Sequence, residues 1–466
     1  MSKQIQVDKT FQQIDAASLQ ALDRQFVWHP FTQMKEWSQA DHLIIAEGKG
    51  AYIKDIHGNW YIDGVSSLWT NIHGHRKEDI DRALKEQIDK IAHSTFLGLT
   101  NPPAIELARR LVAIAPKGLT RVFYSDDGST AVEIALKMAF QYWQNRGFAQ
   151  RSKFLALKNA YHGDTIGAVS VGGIELFHGI YKPLLFESFF TPSPYCYRCE
   201  FSMDSKSCSL YCLGQIEKIL ESNHDEIASV ILEPMVQGAG GMIVFPKGFL
   251  KGIETLCRRY NVLLIADEVA TGFGRTGRMF ACEHESIKPD FLCLAKGITG
   301  GYLPLAATLT TEEVYNAFLG NYDEFKTFFH GHTYTANQLA CTAAIASLDV
   351  FDLEKPLEAM QSKVTELQKA LESLNLEYVG NIRQLGFMTG IELVKDKVTK
   401  KPFEPAKRIG HKVCMIAKDY GLIIRPLGDV VVLMPPLCIT HDEIKEIVKI
   451  TGQAIQRVNE FTQDIV

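Results

Sequence analysis

The sequence predicts an α/β fold: a large domain with a mainly parallel sheet flanked by helices, plus a smaller α+β domain made from both chain ends. Three observations carry this reading. Short, almost continuously apolar runs alternate with helical stretches across the middle of the chain, as strands buried on both faces do. Ahead of them, short apolar segments separated by glycine-containing turns read as a small antiparallel meander. Beyond residue 340 the pattern is helical, then mixed. The expected division is residues 1–75 for the first part of the small domain, 76–339 for the large domain and 340–466 for the rest of the small one. A chain of 466 residues is long enough for both.

Taken in order, residues 1–25 are polar and mildly helical, and an aromatic cluster follows at Trp28-His29-Pro30-Phe31. Residues 43–46, 51–53 and 60–62 are the strands of the meander. Ile80, Leu84, Ile88 and Ile91 mark one helical face, and Asn101 ahead of Pro102 and Pro103 is a helix start. The strands of the large sheet are expected at 121–124, 154–157, 229–232, 262–266, 291–295 and 305–309. Further short strands are expected around 386–393 and 430–433.

Composition removes several function classes. With 46% hydrophobic and 22% charged residues the chain is not disordered, and a net charge of −5 leaves no basic surface for nucleic acid. The longest apolar run, near residues 430–439, is broken by Pro435 and Pro436, so no membrane partner is expected. The start of the chain lacks a signal-peptide pattern, and a cytoplasmic protein is expected.

In parallel sheets ligands bind beyond the carboxyl ends of the strands. Polar residues placed there are Ser125 to Thr130, Lys158 to Asp164, Asp267-Glu268 and Lys296-Gly297. Singly, each has a plain explanation. A lysine after a strand is usually solvated, Thr130-Ala-Val-Glu133 reads as a capping box, and Tyr161 fits a core. Together they describe one pocket. Small residues at an uncapped helix start, Gly128-Ser129, suit a phosphate. A lysine in a low-dielectric pocket becomes a nucleophile, a buried aspartate needs a cationic partner such as a pyridinium nitrogen, and an aromatic stacks on a ring. The set fits pyridoxal 5'-phosphate. The stretch Gly272-Phe-Gly274-Arg-Thr-Gly277 matches GxGxxG, but no long helix follows it, so a nucleotide site is rejected.

Residues 266–277, with Leu294-Ala295-Lys296-Gly297-Ile298-Thr299-Gly300-Gly301 downstream, resemble the class III (fold type I) pyridoxal-phosphate aminotransferases over nearly the whole chain. Trp28 to Met34, Asn159 to Thr165, His330-Gly331-His332-Thr333 and Arg425-Pro426-Leu427-Gly428 resemble the 7,8-diaminopelargonate synthases of biotin biosynthesis, which aminate 8-amino-7-oxononanoate. The resemblance implies roles. Lys296 carries the cofactor and acts as the general base, Asp267 holds the pyridine nitrogen protonated, and Gly128 and Ser129 bind the phosphate. Thr333 reaches the phosphate of the neighbouring subunit in a homodimer with shared sites. Tyr161 stacks on the ring, Trp69 walls the substrate pocket, and Gln237 lies beside the cofactor. Arg425 holds the substrate carboxylate, with Phe31, Gly331, Arg275 and Asp164 around the same pocket.

Better-known members of that group use S-adenosylmethionine and carry tyrosines where Phe31 and Val432 align, so the lost hydroxyls favour L-lysine as the amino donor. Leu68 stands where many have a second tryptophan. Cys196, Cys199, Cys208 and Cys212 have zinc-like pair spacing with a gap shorter than in common sites; they are read as reduced surface thiols, a structural metal being the alternative. The other six cysteines, Cys438 among them, are read as small core residues. Two rival functions remain open: a general ω-amino acid or diamine aminotransferase or an aminomutase, and a non-catalytic ligand- or metal-binding protein on the same scaffold.

Overall fold

The computed structural model describes residues 15–203, 207–458 and 460. Seven strands form the large sheet: β1 (Leu119–Ser125), β2 (Lys153–Leu157), β3 (Phe189–Thr191), β4 (Ile227–Leu232), β5 (Leu263–Asp267), β6 (Phe291–Leu294) and β7 (Ala306–Thr311). Their spatial order is β1-β7-β6-β5-β4-β2-β3. Every residue of β4, β5 and β6 is buried, which is why these segments read as unbroken apolar runs.

All the strands run the same way except β7, which is antiparallel to both β6 and β1. The connection from β6 to β7, residues 295–305, is shorter than the dozen or so residues a parallel return takes. It therefore brings the chain straight back along the sheet. The edge strand β3 was not expected from the sequence; it has only three residues and lies in a segment rich in serine and proline.

The meander is present as Ile45–Lys49, Tyr52–Asp55 and Trp60–Asp63, and Leu422–Ile423 joins it in parallel, with Leu422 opposite Ile62. Both ends of the chain thus share one sheet. A second antiparallel sheet combines Val379–Leu385, Met388–Leu393, Val430–Leu433 and Arg425–Leu427 in that order. Helix Gln338–Glu354 packs on Glu78–Ile88 and Pro102–Ile114. Among the described residues, no helix is long and apolar enough to cross a membrane.

Two local expectations are corrected. The helix after β1 spans Gly128–Asn145 and is capped by Asp127, whose Oδ1 accepts from Thr130 N at 3.0 Å. Glu133 takes no part in that cap: its Oε1 accepts from Gly167 N at 2.6 Å and ties a neighbouring helix to this one. The start is therefore neither uncapped nor a Thr130–Glu133 box, because the shorter aspartate one turn earlier reaches the free N–H first. Cys438 is exposed, whereas Cys257, Cys282, Cys293, Cys341 and Cys414 are buried.

Candidate active site

At the carboxyl end of the large sheet lies a cavity of about 450 Å³, lined among others by Trp69, Gly128, Ser129, Tyr161, Asp267 and Lys296. Asp267 is the last residue of β5, and Lys296 follows β6 by two positions. Parallel pairing sets Asp267 beside Cys293, so the carboxylate and the lysine arrive at neighbouring points on the same edge. Lys296 has a left-handed backbone (φ 44°), which turns the chain sharply off β6. Its ammonium lies 5.2 Å from the centre of the Trp69 ring. Burial pushes its pKa down, against the pull of Asp267 and Glu233, so the neutral amine is more accessible than in solution.

Asp267 is buried and doubly held. His162 Nδ1 donates to Oδ2 at 2.7 Å, and Val269 N donates to Oδ1 at 3.0 Å. The other nitrogen of His162, Nε2, is buried without a partner among the described residues. Glu233, just past β4, accepts from Tyr161 N at 3.1 Å and from Gly238 N at 2.8 Å. It is 3% exposed, and burial raises its pKa to about 7. Tyr161 O–H donates to Asp164 Oδ2 at 2.6 Å; burial, then this carboxylate, raises the phenol's pKa.

The helix start beside these groups is shaped as a cradle. A Cβ on Gly128 would stand 2.6 Å from Val269 Cγ1, and one on Gly163 (φ +119°) 2.0 Å from Ser129 Oγ. Only glycine fits either position. First-turn N–H groups have no acceptor within their helix, and the positive end of its dipole faces the same way. Ser129 Oγ accepts from Asp164 N at 3.1 Å. A phosphate fits this cradle, a ring nitrogen fits the held carboxylate, and an aldehyde carbon fits the amine of Lys296. The residues present are those pyridoxal phosphate requires.

Trp69 is placed by an unusual turn. Ser66, Ser67, Leu68 and Trp69 have φ of 49°, 42°, 62° and 72°, a left-handed run that costs on the order of 1–2 kcal/mol per residue. Asp63 offsets the strain by accepting from Ser67 N (2.6 Å), Ser67 Oγ (2.8 Å) and His75 Nε2 (2.9 Å). Arg275, 1% exposed, donates to Ser66 Oγ and Pro435 O at 3.0 Å and to Asn71 O at 2.8 Å. Burial lowers its pKa to about 9. The structure thus sets Arg275 behind the wall that Trp69 forms.

The remaining expected residues fall elsewhere. Gln237 is buried behind the cavity, its amide donating to Lys158 O at 2.9 Å and accepting from Ser193 Oγ. Gly331 and Thr333 are exposed, next to His332, whose Nδ1 donates to Asp126 Oδ2 at 2.8 Å. Phe31 and Arg425 line a second, larger cavity of about 1250 Å³ over the Val379–Leu385 sheet. Phe177 bridges the two cavities, its ring centre 5.5 Å from that of Phe31 and 6.2 Å from that of Tyr161. Cys196, Cys199, Cys208 and Cys212 line one small cavity as free, half-buried thiols, and burial raises the pKa of Cys212 to about 11. Among the described residues, no group of three or more His, Cys, Asp or Glu is arranged to hold a metal ion.

Sequence reasoning missed His162 and Glu233. Glu233 directly follows a strand at the same sheet edge, so the rule that found Asp267 could have found it. His162 stands inside the segment that supplied Tyr161, but its partner is 105 positions away and only the fold joins them.

Residues 33–455 match the class-III aminotransferase family. The adenosylmethionine-8-amino-7-oxononanoate aminotransferase of Nitratidesulfovibrio vulgaris is 56% identical over 451 residues, which cover 96% of this chain and 83% of that protein. Its counterpart in Geobacter sulfurreducens is 53% identical, covering 95% of this chain and 98% of that one. The crystal structure of the Methanocaldococcus jannaschii enzyme of the same name superposes with a TM-score of 0.91 at 49% identity, over 95% of this chain and 99% of that one. An amine transaminase from an uncultivated Pseudomonas species, solved with pyridoxal phosphate bound, superposes with a TM-score of 0.87 at 37% identity, over 93% of this chain and 98% of that one. With a lysine, a held carboxylate and a phosphate cradle converging at one sheet edge, the chain belongs to the class-III aminotransferases and is a pyridoxal-phosphate-dependent enzyme of fold type I.

Proposed function

We propose that this enzyme aminates 8-amino-7-oxononanoate to 7,8-diaminononanoate in biotin biosynthesis, working as a cytoplasmic homodimer. The observation that carries the substrate reading is Arg425. Among the described residues its side chain has neither an ion pair nor a hydrogen bond, yet it lines a large cavity separated from the one that holds Lys296 by the packed rings of Phe31, Phe177 and Tyr161. A guanidinium left unpaired in a cavity suits a carboxylate ligand. The names of the relatives support the same substrate.

When bound, pyridoxal phosphate supplies an electron-withdrawing ring and an aldehyde carbon that carries the amino group between two half-reactions. The chain's own residues do the rest. Lys296 Nζ, its pKa lowered by burial, would act as the base that takes the proton from the substrate carbon and carries it until it is returned. Asp267, oriented by His162, would keep a proton on the ring nitrogen. Gly128 and Ser129 would hold the phosphate, and the Trp69 turn, braced by Arg275, would close the wall against water.

For the donor, the relatives' names support S-adenosylmethionine. L-lysine, expected from two lost hydroxyls, now rests on Phe31 alone, since Val432 is 1% exposed within its strand. Dimerisation is supported by the exposed apolar side chains Leu97 (91%), Phe329 (76%) and Tyr334 (61%), and Thr333, next to Tyr334 in the chain, is exposed as well. The test is the visible spectrum of the purified protein before and after each donor. Bleaching by S-adenosylmethionine, followed by recovery with 8-amino-7-oxononanoate, supports the proposal. Recovery only with simple keto acids would favour a general ω-amino acid aminotransferase.

A further inference from the structure

The cysteine-bearing segment carries a residue that the assigned roles leave unused. Arg198 ends the short turn Cys196–Arg198 and reaches onto the sheet that floors the second cavity. Its Nε donates to Glu392 Oε1 at 2.5 Å and its NH1 to Lys400 O at 2.9 Å, which fixes the guanidinium plane.

Register places this group opposite Arg425. Glu392 lies beside Val430, and Val430 beside Leu427; Arg425 lies beside Val432, and Val432 beside Gly390. Paired residues, and residues two apart on one strand, share a face. Glu392 and Arg425 therefore project from the same face, two strands and two residues apart, which is about 12 Å between backbones at ordinary sheet spacings. Arg198, docked on Glu392, overlooks the floor from which Arg425 rises.

The charges do not cancel. Glu392 also accepts from Arg383 NH1 at 2.7 Å and from the Tyr195 hydroxyl, so one carboxylate serves two guanidiniums. Glu392 and Arg383 are nearly inaccessible, with side chains 6% and 8% exposed, whereas Arg198 at 32% is open to the cavity. Of the other carboxylates lining this space, Glu36 is taken by Arg408, Asp41 by Arg24, and Asp429 Oδ1 accepts from Gly410 N. An anionic group entering between Arg198 and Arg425 supplies the missing counter-charge.

We infer that Arg198 is a specificity-determining residue, binding the substrate carboxylate jointly with Arg425. This rests on the reading that the second cavity takes the acid end of the keto substrate. The test compares wild type, Arg198→Gln and Arg425→Gln as holoenzymes on 8-amino-7-oxononanoate and on its methyl ester. Loss of the Arg198 charge-assisted bond raises the KM for the acid about tenfold, while the KM for the ester stays nearly unchanged. Equal losses on acid and ester, or no change on either, would overturn the inference. Calorimetric titration of the holoenzymes with nonanoate, which has no amino group to react, separates this claim from the proposed function. If wild type turns over neither compound, that function fails, and the Arg198 claim stands or falls on whether Arg198→Gln weakens nonanoate binding as Arg425→Gln does. Should Arg198→Gln not fold, Arg198→Lys, which cannot keep both fixed contacts, gives the same comparison with a smaller shift.

Discussion

The two cavities are built by different means. The one around Lys296 sits where strands β1, β2, β5 and β6 end, so its key groups follow directly from strand positions and point to one edge. The one around Arg425 lies over a sheet made from the last third of the chain, with its walls supplied by residues 31–43 and the segment around Arg198. In the first, charges are buried and held by neighbours, and their protonation is shifted. In the second they are open, and among the described residues the side chains of Arg425 and Lys418 have no hydrogen-bond or ion-pair partner. A cavity that holds a cofactor permanently needs prepaid positioning, whereas one that admits and releases substrate needs unmatched charge.

The contrast predicts where damage is greatest. Lys296→Ala should lower turnover about 10⁴-fold or more, since no other amine can move the proton; single-turnover kinetics with the donor measure it. Glu233 gives the next effect. Its folded pKa, about 7, lies above the ordinary value of 4.5, so its charge opposes folding above pH 7 and ceases to do so below pH 4.5. Glu233→Gln should therefore gain stability over wild type as pH rises from 4.5 to 7, by on the order of 3 kcal/mol at most. Urea melts of the cofactor-free proteins at a series of pH values would show it, and a pH-independent difference would contradict it.

Arg425→Gln, in the open cavity, should raise the KM for the keto substrate about 30-fold with a much smaller change in kcat. Equal effects on both would mean that Arg425 shapes the first cavity after all. The smallest effect falls on the cradle. Gly128→Ala forces a Cβ to within 2.6 Å of Val269 Cγ1, so Val269 or the helix start must shift. We expect weaker cofactor retention by about 1 kcal/mol, read by dialysis and absorbance, with the fold intact.

The same contrast explains what was legible in the sequence. Buried strands announce themselves as apolar runs, and a polar residue at the end of such a run is exposed to view, so Lys296, Asp267 and Ser129 stood out. The direction of β7 did not, because antiparallel and parallel buried strands have the same composition. The helix cap was misread since Thr130 and Asp127 both suit a cap, and only geometry chooses. His162 and Arg275 act through partners scores of residues away, a relation no local pattern records. Arg425 was named through resemblance alone, and its shared face with Glu392 depends on register across three strands. The cysteine spacing drew attention to metal chemistry, while Arg198 between the first pair went unremarked.

Reduction of the purified holoenzyme with borohydride, followed by digestion and peptide mass mapping, probes the covalent centre most directly. The account predicts a single pyridoxyl-phosphate adduct on the peptide containing Lys296, absent from Lys296→Ala. An adduct on another lysine, or an unmodified Lys296 in protein that still transaminates, would contradict it.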